Sequence, residues 1–112
     1  MRIERKFQMN ETIMQGTTPV FSFTLPFESA QVKSFFVTFR QGGENVLEKD
    51  LTTCETGEYS LSVTLSQEES FLFDPAKPVL MQVRLADLEG SAFASPVFPL
   101  RVEGVLKGGE VI

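Results

Sequence analysis

The chain has 112 residues, of which 42% are hydrophobic and 22% charged, and it carries a formal net charge of −5. That length excludes two well-built cores and predicts one domain, and that balance excludes a disordered chain. The acidic sign opposes binding to phosphate backbones or anionic bilayers, and the few basic residues are scattered apart from Arg2, Arg5 and Lys6, so neither nucleic acid nor membrane is expected as a partner.

Residues 1–15 show no sustained period of two or of 3.6 and read as an N-terminal arm, taken as disordered. They lack the continuous apolar run of a secretory signal, and no stretch approaches the ~20 apolar residues of a membrane span. The turn-like Gly16-Thr17-Thr18-Pro19 opens the structured part. Phe21, Phe23 and Leu25 then alternate with Ser22 and Thr24, which is the pattern of a half-buried strand ended by Pro26.

Val32 to Arg40 reads as a second strand, with Phe35, Val37 and Phe39 on one face. Phe36 interrupts the opposite face of Ser34, Thr38 and Arg40, so that face is expected to be partly covered. Gln41-Gly42-Gly43-Glu44 supplies the positive-φ residues of a tight hairpin. The more charged Val46 to Leu51 returns from it as an edge strand. Glu55-Thr56-Gly57-Glu58 is a further turn, followed by the cleanest alternation in the chain, Tyr59, Leu61, Val63 and Leu65 against Ser60, Ser62 and Thr64.

Ser66-Gln67-Glu68-Glu69 matches a capping box, predicting one helical turn to about Phe71. Val79 to Leu88 alternates again, with Val79, Met81, Val83 and Leu85 opposed by Gln82 and Arg84. Leu88-Glu89-Gly90-Ser91 is a hairpin turn with Gly90 in the left-handed position. In the last strand Phe93 has odd phase while Phe98, Leu100 and Val102 have even phase, so a β-bulge near Ser95-Pro96 must slip the pleat by one residue. Pro96 and Pro99 place part of that strand at a sheet edge. The expected fold is all-β: an antiparallel β-sandwich of immunoglobulin or fibronectin type, with six to seven strands and one short helical turn. The expected layout is arm 1–15, sandwich 16–104 and C-terminal tail 105–112.

Chemistry is sparse. Without histidine the chain lacks the commonest general base and the middle member of a nucleophile triad, so no enzymatic activity, cofactor, metal or small-molecule substrate is expected. The lone Cys54 excludes an intrachain disulfide and reads as an inert thiol. Glu68, Glu69 and Asp74 lie close in sequence, but a helix start and a solvated face account for Glu69 and Glu68. Pro75–Pro78 and Pro96–Pro99 fit P-x-x-P and are explained by strand punctuation. Phe21, Phe23, Phe35, Phe39 and Phe98 are core by phase. Phe36, Phe71, Phe73 and Phe93 fit less tidily, and they are the candidate partner-binding residues if they cluster outside, or caps over the open ends of the sandwich if they do not.

Gly16-Thr17-Thr18-Pro19 before a Phe-rich strand, Leu65-Ser-Gln-Glu-Glu-Ser70 with Phe73, Gln82-Val-Arg84 and the Glu89-Gly90 turn together resemble small proteins encoded in the structural-gene clusters of phages and prophages of Gram-positive bacteria. They are also similar to the N-terminal domain of phage baseplate upper proteins. The likeness covers about residues 14 to 112, with residues 1–13 ahead of it and the translation start, Met1 or Met14, left open. The resemblance implies a non-catalytic virion- or tail-associated accessory domain that contacts other phage structural proteins or itself, in the host bacterial cytoplasm during assembly or in the virion. The alternative is a module that binds a carbohydrate or host-surface ligand through loops at one end, Gln41 to Glu44 and Leu88 to Ser91.

Overall fold

The period-two segments become the strands of two facing sheets. In the computed structural model, which describes residues 3–5 and 12–112, the strands are β1 (Glu4–Arg5), β2 (Thr12–Met14), β3 (Val20–Thr24), β4 (Val32–Gln41), β5 (Glu44–Asp50), β6 (Cys54–Thr56) and β7 (Ser60–Thr64). The helical turn α1 (Gln67–Ser70) follows, then β8 (Val79–Asp87), β9 (Ala92–Ala94) and β10 (Phe98–Glu103). One sheet has the order β1-β3-β7-β6 and the other β2-β10-β8-β4-β5, with β9 also paired to β8. The order β1-β3-β7-β6 against β5-β4-β8-β10 makes an all-β, two-sheet sandwich. The rings of β3 meet those of β4 across the interior, Phe21 with Phe39 at 5.7 Å and Phe23 with Phe35 at 6.3 Å between centroids. Large apolar rings thus occupy the space between the sheets, and each such buried side chain contributes on the order of 2–3 kcal/mol.

The turns follow from local chemistry. Gly42 and Gly43 both have positive φ, +61° and +81°, so the two-residue hairpin between β4 and β5 closes with Gln41 paired to Glu44. At the β8–β9 hairpin the Asp87 carboxylate accepts from the amides of Glu89 and Ser91, and Gly90 takes the left-handed position. The slip near Ser95-Pro96 is present. Arg84 pairs with Ala94 but Met81 pairs with Phe98, so the β9–β10 strand advances four residues while β8 advances three. Ser95 stabilises this irregularity: its Oγ accepts from Val83 N–H and donates to the Pro96 carbonyl, and its carbonyl accepts from Gln82.

Four expectations are corrected. Residues 1–15 are not wholly an unpaired arm: β1 pairs with β3, β2 pairs with β10, and Ile3 and Ile13 are core residues. Neither strand is long enough to show a period, so only their partners define them. The β2–β10 pair is parallel, the single exception to antiparallel pairing among the described residues. The strand count exceeds seven because β6 lies where a turn was expected, because β1 and β2 lie in the expected arm, and because the last strand is broken into two segments. The outer face around Phe36 is uncovered, and the ring is 41% exposed. As expected, β5 is an edge strand, and Pro99 precedes the stretch of β10 that β2 covers.

Candidate functional site

The four phenylalanines without a clean strand phase do not converge. Phe73 lies in the core at 1% exposure, 6.0 Å from the Phe39 ring, and is corrected from candidate contact residue to core residue. Phe93 points inward from β9 beside Leu85 and packs edge-on against Phe27 at 5.4 Å, closing one end of the sandwich. Phe71, at the C-terminal end of α1, lays its ring against Gly16, where an added Cβ would meet it at 3.1 Å. Only Phe36 presents its ring on an open sheet face.

That face belongs to the six-stranded sheet, and its composition follows from the even-numbered positions of β4 and β8. Cross-strand register sets Asp50, Phe36, Arg84 and Ala94 in one row, with Ser34, Ala86 and Ala92 in the row on one side and Glu48, Thr38 and Gln82 in the row on the other. Because Ser34, Ala86 and Ala92 are small, the surface beside the Phe36 ring sinks into a groove of about 370 Å³ that reaches Arg84 and Glu48. A second groove of about 350 Å³ continues along Thr38, Arg40, Gln82 and Val97. Hydrogen bonds hold the polar groups in place: Thr38 Oγ1 donates to Glu48 at 3.2 Å, and Arg40 Nε donates to Asn45 Oδ1 at 2.8 Å. The face thus sets an exposed aromatic ring between an acid and a base, beside a hollow.

Two of the three acidic residues singled out from the sequence, Glu69 and Asp74, hold local structure together. Ser66 and Glu69 form the reciprocal capping box, and Lys49, on the inner face of β5, donates to Glu69 Oε1 at 2.6 Å. Partial burial disfavours the charged form of Glu69, but the bonds from Lys49 and the Ser66 amide, together with the Lys49 charge, outweigh it and hold the carboxyl below its usual range. Glu68 is exposed, and Asp74 closes its own turn by accepting from Ala76 N–H. Among the described residues, no group of three or more Cys, Asp or Glu converges as a metal ion requires. Burial, then the Asp50 charge, raises the Cys54 thiol above its ordinary value, which disfavours the reactive thiolate.

The two loops expected to share one end do not. Gln41 pairs with Val79 and Val32 with Asp87, so the Gln41–Glu44 and Leu88–Ser91 turns lie at opposite ends of the sheet and cannot form a joint ligand site. The reason is connectivity: one turn follows the end of β4 and the other the end of its antiparallel neighbour β8.

No protein-family model matches the chain, and no curated protein matches it either. No helix among the described residues is long and apolar enough to cross a membrane.

Sequence reasoning passed over Asp50, Glu48 and Arg84 as contact residues. The signal was available in the same alternation that placed the core, since residues out of phase with the core share the outer face. Register between strands, which decides that Asp50 and Arg84 flank Phe36, was not.

Proposed function

We propose that this chain is a non-catalytic accessory protein of a phage or prophage particle, acting through protein–protein contact at the outer face of the six-stranded sheet. The observation that carries the contact reading is Phe36, 41% exposed in mid-sheet between Asp50 and Arg84 and beside an apolar hollow. Burying such a ring against a partner is favourable by roughly 1–2 kcal/mol, and the flanking charges fix the orientation of what docks. The phage assignment is supported by the resemblance of residues 14–112 to products of phage structural-gene clusters. The lack of histidine fits a protein that assembles without transforming a substrate.

The test is calorimetric titration of the purified chain against the products of its neighbouring structural genes. At least one should bind. Phe36→Asp should abolish that binding, while Ser62→Asp on the opposite outer face should leave it intact. Equal loss from both substitutions, or no binding to any neighbour, would overturn the reading.

A further inference from the structure

We propose that the outer face of the six-stranded sheet receives a second copy of this chain, related to the first by a two-fold axis running parallel to β4. This rests on the reading of that face as a contact surface and names what docks there. The argument is charge complementarity set by register. Asp50, Phe36 and Arg84 occupy one row on three adjacent strands, so an acid and a base flank the ring on either side, each one strand away.

Rotation about an axis along β4 lays the β5 side of one copy over the β8 side of the other. Phe36 then faces Phe36, and Asp50 faces Arg84 of the second copy twice over, the reciprocity that an isologous contact requires. In the next row the same rotation sets Glu48 opposite Gln82, a carboxylate over a carboxamide. An axis running across the strands instead would place β5 on β5 and acids against acids, which is repulsive. The row beyond brings Arg40 toward Arg40, but the bond from Arg40 Nε to Asn45 Oδ1 draws each guanidinium toward its own β5, on opposite sides of the axis.

The groups are ready for this contact. Both hydrogen bonds that Asp50 accepts from Thr52 end on Oδ1, which leaves Oδ2 for a guanidinium. The axis along β4 sets the two rings at the same height along the strands, so they offset across the strands, the preferred geometry for stacked aromatics. Four or five strands over a span of about 20 Å offer roughly 500 Å² per copy, below the ~800 Å² of a standard interface, so the pair is a weak and reversible one.

Sedimentation equilibrium of the full chain, from about 10 µM to about 1 mM and in low and high salt, tests this. The wild type should form a reversible dimer that salt weakens. Asp50→Arg and Arg84→Asp should each weaken it about 10-fold or more, and the two together should restore it, because the swapped charges again face their opposites. Circular dichroism checks that each variant folds. Should Asp50→Arg fail that check through loss of its cap on Thr52, Phe36→Ser reads the same contact and should also weaken the dimer. A wild type that is monomeric throughout, or a folded double variant no better than either single one, overturns the proposal. If the wild type is monomeric yet Phe36→Ser abolishes binding of a neighbouring gene product, only the self-pairing falls. If neither association exists, the contact face falls with it.

Discussion

The two outer faces of the sandwich differ in kind. That of the four-stranded sheet carries Ser22, Thr24, Ser60, Ser62 and Thr64, with Val20 exposed at one end, Glu55 on the β6 edge, and Ser22 and Ser62 bonded to each other at 2.8 Å across the strands. The short hydroxyls bond to each other and to water, and apart from the small Val20 side chain this face offers a partner no apolar group and no aromatic ring among the described residues. That of the six-stranded sheet carries a phenylalanine ring, two arginines and two acids around a hollow. Both faces flank one core of phenylalanine and branched aliphatic side chains, so the contrast is not imposed by folding. A fold needs only that its outer faces be tolerated by water. One face meets that requirement, and the other goes beyond it.

The largest effect should come from disturbing what the two faces share. Phe39→Ala removes a fully buried ring that touches both Phe21 and Phe73, and it should cost about 3–5 kcal/mol in urea denaturation. Ile13→Ala should cost about 2–4 kcal/mol by the same measurement, because this residue from the supposed arm is wholly buried.

A smaller effect should come from the link between the sheet and α1. Lys49→Met leaves Glu69 without its ion-pair partner and should cost about 1–2 kcal/mol, less than a fully buried pair because Glu69 keeps some solvent. Glu69 binds its proton more weakly folded than unfolded, so its stabilisation is complete above its ordinary value of 4.5 and is lost as pH falls through the lowered folded value. Urea midpoints should therefore decline below about pH 5, and more shallowly in Lys49→Met. The smallest effect should be Phe36→Ser, which should change monomer stability by less than about 1 kcal/mol despite removing a whole ring. A cost near that of Phe39→Ala would mean that Phe36 belongs to the core, and the contrast between the faces would fail.

Alternation explains why so much of the fold was legible. Phe21 and Phe23, Phe35 to Phe39, Leu61 to Leu65 and Val79 to Leu85 each keep one phase over a whole strand, and even the break in the last strand was visible as a change of phase after Phe93. β1, β2 and β6 were not legible, since two or three residues carry no period and their existence depends on the edges they join. Lys49 shows the same limit: a lysine on an edge strand reads as solvated, and only the position of Glu69 in three dimensions brings it inward. The contact face was half legible. Phe36 stood out as an aromatic residue in the wrong phase, but its flanking charges come from strands whose register no local pattern encodes.

If partners dock as proposed, contact falls on the Phe36 face and not on the hydroxyl-lined one. Amide hydrogen exchange, compared between dilute protein and the concentrated or partner-bound state, addresses it directly. The account predicts added protection across β4 and β8 around Phe36, Thr38, Gln82 and Arg84, with Ser22 and Ser62 unchanged. Protection centred on Ser22 and Ser62 instead, or no change on either face once association is established, would contradict it.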